Sequence, residues 1–255
     1  MRMSDVVVGE GVPRRRRRQR QYRAWRDGGA STARWGLDLL GWSVLILGVG
    51  LLGARAVAVL IPSEDAPVAA QAVIWLCFAA PAAWAWTRSR PRGLLGFRAV
   101  DVMYGVVFGA ALRMGQGTLA GLDGRPLVWP SVPSVGGGLP EGFLVEAAGG
   151  TAIAPLLEEA FFRGVVLVCV YTVVRRWSGR AAGRVAAVAI SSALFVIAHL
   201  LLAPLSVADV WSLVLVGVVT SALVLGTGRL WAAVATHMVF NATGFALVAV
   251  GTLLA

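Results

Sequence analysis

The run Ala154-Pro155-Leu156-Leu157-Glu158-Glu159-Ala160-Phe161-Phe162-Arg163-Gly164 sets two adjacent carboxylates and a guanidinium inside an apolar segment reaching from about residue 143 to 174. A segment of that length exceeds the roughly 20 apolar residues a bilayer crossing needs, so it must tilt, kink or project beyond the membrane. Six further apolar segments flank it, at about 36–60, 66–87, 99–120, 185–203, 208–226 and 230–254. Together they predict an all-α polytopic transmembrane helical bundle of about seven spans. The third segment is the least regular, because Arg113 and Gln116 interrupt it and Gly105, Gly109, Gly115 and Gly117 lower its helix propensity. Unbroken apolar runs exclude a β-barrel, whose strands alternate. With 58% hydrophobic and 14% charged residues among 255, a soluble globule is excluded as well.

Charge divides the chain further. All 23 basic residues are arginine, and ten precede residue 35, so the net charge of +10 belongs largely to one tail. A run such as Arg14 to Arg18, followed by Arg20, Arg23 and Arg26, could suit nucleic acid. No nucleic-acid-binding fold accompanies it, however, and next to a first membrane helix it marks the cytoplasmic side and attracts anionic lipid. Four arginines between Thr87 and Arg98, four from Arg175 to Arg184, and Arg229 fall on that same side of a seven-span arrangement, whereas the alternate connections carry only Arg125. The positive-inside rule therefore predicts a cell-membrane, multi-pass protein with a cytoplasmic N-terminus. Three regions result: an arginine-rich tail (1–35), peripheral helices (36–139) and a core (140–255) holding the polar motifs. Arg55 and Arg113, near the opposite boundary, read as snorkelling side chains. Cys77 and Cys169, isolated in apolar runs, read as buried structural thiols.

Arg163 lies too deep to snorkel and needs a partner. Glu159 supplies it, four residues earlier on the same helix face. Glu158 is turned about 100° away, lacks an equally good intrahelical partner, and is the freer carboxylate and candidate general base. Both histidines of the chain also lie within spans. His199 follows Phe195 by one turn, so Phe195 can support the imidazole, and His237 precedes Asn241 by one turn, so an imidazole and a carboxamide share a face. Measured from the flanking arginines, Glu159 and His199 lie at matching depths of ~24 and ~22 Å, with His237 and Asn241 shallower at ~12 and ~18 Å. These groups can converge if the last helix tilts. Two non-enzymatic readings accompany this one: a polytopic scaffold glued by interhelical polar contacts, and a proton-coupled transporter using a protonatable Glu with an Arg counter-ion.

Glu158-Glu159-x-x-x-Arg163, Phe195-x-x-x-His199 and His237-x-x-x-Asn241, in this order on three spans, resemble the CPBP family of intramembrane endopeptidases. This family comprises CAAX proteases and bacteriocin-processing (Abi) enzymes. The resemblance covers about residues 140–254. It implies an endopeptidase acting on a peptide or membrane-protein substrate, with Glu158 as water-activating base, His199, His237 and Asn241 completing the site, and Glu159 and Arg163 supporting it. Family members commonly have eight spans, against the seven counted here. Two chemistries fit these residue types. In the favoured, cofactor-free form, His199 orients the water and His237 with Asn241 stabilises the oxyanion. In the alternative, Glu158, His199 and His237 ligate a divalent metal such as zinc. No His-Glu-x-x-His motif or serine triad is present.

Overall fold

The computed structural model describes residues 23–63, 65–123, 129–134 and 137–254, and among them the only regular structure is helical. The arginine run 14–20 and Arg125 lie outside the described residues. The principal helices are α1 (Leu37–Leu60), α2 (Ala66–Arg88), α3 (Ala99–Leu119), α4 (Phe143–Ala148), α5 (Ala154–Glu159), α6 (Leu167–Leu202), α7 (Val207–Thr227) and α8 (Trp231–Leu254). Two π-helical segments, Gly149–Ile153 and Ala160–Val166, join α4 to α5 and α5 to α6.

Each of the seven apolar segments read from the sequence is helical, but five stretches are long and apolar enough to cross a membrane: 37–60, 66–88, 143–202, 207–227 and 231–254. The difference from seven has two sources. Residues 143–202 form one apolar stretch that reverses at Gly179, whose φ of 84° and ψ of −179° are accessible essentially to glycine alone. Helix α3, with Asp101 and Arg113, is not among the five. Large apolar side chains face outward along α1, among them Trp42, Leu45, Val49 and Leu52, as a hydrocarbon environment requires.

The reversal at Gly179 sets the depth of the site. Glu159 and His199 each lie twenty residues from Gly179, on the incoming and returning arms. Equal helical travel along two antiparallel arms brings them to similar heights. The bundle centre is aromatic: Phe161, Phe162 and Phe195 are fully buried, with Phe162 edge-on to both Phe161 and Phe195.

Two devices fix α8 against this core. Gly105 and Gly109 let α3 approach closely, since a β-carbon at either position would overlap Ala235 or Val239 of α8. At the head of α8, Arg229 grips the fully buried Asp101 through Nη2 at 2.6 Å and Nε at 3.0 Å, and this hydrogen bonding holds the guanidinium above its ordinary pKa.

The described part of the N-terminal region, residues 23–35, is packed onto the bundle. Trp25 and Trp35 are buried. Trp25 donates from Nε1 to the Gly228 carbonyl at 2.9 Å, and Tyr171 donates to the Arg26 carbonyl at 2.7 Å. Two indoles withdraw enough apolar area to hold the segment in place despite its arginines.

Candidate active site

The carboxylates stand on a short α-helix between two π segments. Pro155 has no N–H to bond the carbonyl four residues back, which favours a local widening of the helix where the preceding π segment lies. In the following π segment the Phe162 carbonyl accepts from Ser191 Oγ at 2.9 Å, so the returning arm is tied to the distorted turn. π-Helical turns of this kind recur at functional sites.

Glu159 is fully buried and contacts two cations or potential cations through one oxygen: Oε1 lies 3.2 Å from Arg163 Nη1 and 3.0 Å from His237 Nδ1. The first contact is the i,i+4 pair expected from the sequence. The second joins α5 to α8, and helical spacing alone gave no signal for it. Arg163 is also fully buried, its guanidinium 4.5 Å from the Phe195 ring centroid. The Glu159 contact is one of charge rather than an aligned hydrogen bond, and none of the Arg163 nitrogens makes a hydrogen bond among the described residues.

Glu158 occupies the other side. Its Oε2 is 3.9 Å from His199 Nε2 and 3.9 Å from His237 Nε2. Side-chain exposure rises from 6% at His237 through 13% at Glu158 to 28% at His199, so the open side of this triangle is at His199. Both imidazoles are oriented through Nδ1. His199 Nδ1 meets the Phe195 carbonyl at 2.8 Å, and His237 Nδ1 meets the Glu159 carboxylate. Because a carbonyl or ionised carboxylate only accepts, each Nδ1 carries the proton, and both Nε2 atoms face Glu158. Phe195 also supports both rings, at centroid distances of 4.5 Å from His199 and 5.8 Å from His237.

Asn241 lies one turn beyond His237 and donates from Nδ2 to the Gly150 carbonyl at 2.9 Å, linking α8 to the first π segment. It lines a cavity of about 1030 Å³, together with Gly150, Ala154 and Arg113. Arg113 therefore departs from the snorkelling reading. It turns inward to donate to the Phe240 carbonyl and Gln116 Oε1, with its guanidinium 3.9 Å from the Phe240 centroid. Gly244 makes room for it, since a β-carbon there would overlap the guanidinium. Arg55 is exposed. Cys169 is buried and Cys77 partly so, and both are free thiols.

The sequence-predicted residues Glu158, Glu159, Arg163, Phe195, His199 and His237 thus form one cluster, with Asn241 at its edge and on the cavity. Glu158, His199 and His237 are the residues that would hold a divalent metal, with Glu158 Oε2 3.9 Å from each imidazole Nε2. Among the described residues no group of three His, Cys, Asp or Glu side chains is set to hold a metal ion.

Comparison with known families reaches the same region. Residues 140–243 match the family model described as type II CAAX prenyl endopeptidase, Rce1-like. This segment is similar to the Rce1-like domain. It is consistent with the CPBP family, begins before α4 and ends after Asn241, and so contains every residue of the cluster. The match supports a peptidase of the CAAX-protease type, and the five long apolar stretches support a multi-pass membrane protein. No curated protein matches the chain, and no solved structure does.

Proposed function

We propose that the chain is a multi-pass intramembrane endopeptidase in which Glu158 activates water for attack on a peptide carbonyl. The observation that carries this reading is the convergence of Glu158 Oε2 with the Nε2 atoms of His199 and His237 at equal distances of 3.9 Å. A water between Glu158 and His199 donates one hydrogen to each, which turns its oxygen lone pair toward the substrate. As the C–O bond forms, Glu158 takes the proton and later gives it to the departing amine.

Oxyanion stabilisation falls to His237 and Asn241. Glu159 faces His237 Nδ1 and fixes the ring, so that a proton carried on Nε2 is aimed at the oxyanion. The second N–H of Asn241 supplies a further donor. We read the chemistry as metal-free, and the cavity beside Asn241 and Arg113 as the substrate channel.

The arginine distribution supports a cytoplasmic N-terminus, with anionic lipid as the partner of the arginine-rich segment. The direct test is cleavage of a library of membrane-proximal peptides by the purified protein in detergent. Wild type should cut, and Glu158→Gln, His199→Ala and His237→Ala should not. Equal turnover by all three variants, or ion-dependent flux in liposomes unaccompanied by cleavage, overturns the proposal.

A further inference from the structure

A second cavity, of about 500 Å³, lies away from the catalytic cluster where residues 23–33 pack against the incoming arm of α6. Its wall includes Arg23, Asp27, Thr32, Thr172, Arg175 and Arg176. Three guanidinium groups thus share the space with one carboxylate. Among the described residues none of the three arginines enters an ion pair. Arg176 donates from Nη2 to the Thr32 carbonyl at 3.3 Å. Arg175 lies 5.8 Å from the Tyr171 ring centroid and passes over Gly28, where a β-carbon would overlap its guanidinium. These contacts orient the arginine stems and leave donors unused.

Thr172 is the second observation. Threonines in the other spanning helices bond their hydroxyls to a carbonyl three or four residues back, as Thr87, Thr220, Thr236 and Thr252 do. Thr172 makes no such bond. Its hydroxyl is buried, at 7% residue exposure, and has no partner although it belongs to a residue of the cavity wall. An unpartnered buried hydroxyl is costly unless something outside the chain completes it.

We propose that this cavity binds a phosphate ester. Guanidinium forks and a hydroxyl suit the several acceptor oxygens of a phosphoryl group. The volume exceeds what a bare phosphate fills, and Asp27 accepts rather than donates, so the ester carries hydroxyls for Asp27 to bind. A phosphoglycerol group has this chemistry, whether it is the headgroup of phosphatidylglycerol or a soluble glycerol phosphate.

Native mass spectrometry of the full chain in detergent, titrated with short-chain phosphatidylglycerol, phosphatidylcholine, glycerol phosphate and inorganic phosphate, tests this site. Saturable binding of phosphatidylglycerol over phosphatidylcholine is expected. Arg175→Gln with Arg176→Gln should weaken it about tenfold, as loss of charged hydrogen bonds does, and Thr172→Val should weaken it severalfold with folding intact. Glycerol phosphate binding as tightly as the lipid would assign the site to a soluble ester. Equal binding of both lipids, or unchanged affinity in Thr172→Val and the double variant alike, would overturn the proposal. Peptide cleavage in detergent provides an independent readout, because none of these residues belongs to the catalytic cluster.

Discussion

His237 and Arg163 share one atom: Glu159 Oε1 lies 3.0 Å from the imidazole Nδ1 and 3.2 Å from the guanidinium Nη1. A fully buried carboxylate thereby couples the ion pair of its own strand of helix to the orientation of a ring on α8. This coupling separates the expected behaviour of the adjacent glutamates.

Glu158→Gln should keep the fold and lose at least about a hundredfold in turnover, the lower range for a general base. Glu159→Gln should cost on the order of 3 kcal/mol or more in stability, because Arg163 is left buried without its counter-charge. Combining Glu159→Gln with Arg163→Met should restore stability and leave activity low, since His237 still lacks the carboxylate. Thermal unfolding in detergent alongside turnover measures both effects. A stable but inactive Glu159→Gln paired with an active Glu158→Gln would reverse the assignment of the base.

Phe195 supports the histidines in two ways, through its carbonyl and through its ring. Phe195→Leu retains the carbonyl that holds His199 Nδ1 and removes the ring faces against both imidazoles and Arg163. The expected result is a loss of about 1 kcal/mol in stability from the missing ring contacts, with kcat reduced and KM little changed. A raised KM at unchanged kcat would assign Phe195 to substrate binding.

Metal dependence is tested independently of mutation. Exhaustive chelation should leave cleavage intact, and elemental analysis of active protein should find less than about one metal per chain. Stoichiometric zinc whose removal stops cleavage would establish the ligand set Glu158, His199 and His237.

The reversal at Gly179 makes a purely conformational prediction. A β-carbon there would meet nothing within 4 Å, so Gly179→Ala introduces no packing clash. Its cost should be roughly 1–3 kcal/mol, the strain of a glycine-only backbone region. Because both arms depend on this turn, turnover should fall with stability. Hydrogen exchange localised to the arms around Gly179 would distinguish this from damage at the candidate cluster, and wild-type stability in the alanine variant would refute the strain argument.

Much of this architecture was readable in the residue pattern. Apolar run length located the helices, and the single appearance of each polar motif within those runs marked the cluster. Other features are invisible to periodicity. The Glu159–His237 contact depends on the rotation of α8 relative to α5, which i,i+4 arithmetic within one helix cannot supply. Arg113 sits near a predicted boundary, where snorkelling and inward capture differ only in what the neighbouring helix offers, here the Phe240 carbonyl and the space at Gly244. Residues 23–35 are rich in arginine, and their packing rests on Trp25 and Trp35, two residues outweighed in any composition count.

The π segments on either side of α5 make the spacing of this motif unforgiving. Because a π turn holds one residue more than an α turn, removing one residue from Ala160–Val166 would return that turn to ordinary pitch and keep its two flanks nearly in phase. Adding one residue to the already widened turn would instead rotate Glu158 by about 100° off the histidines although every side chain of the cluster remained encoded. Single-codon insertions in this short window should therefore be as damaging as loss of Glu158, whereas single-codon deletions and residue swaps that preserve length should be better tolerated.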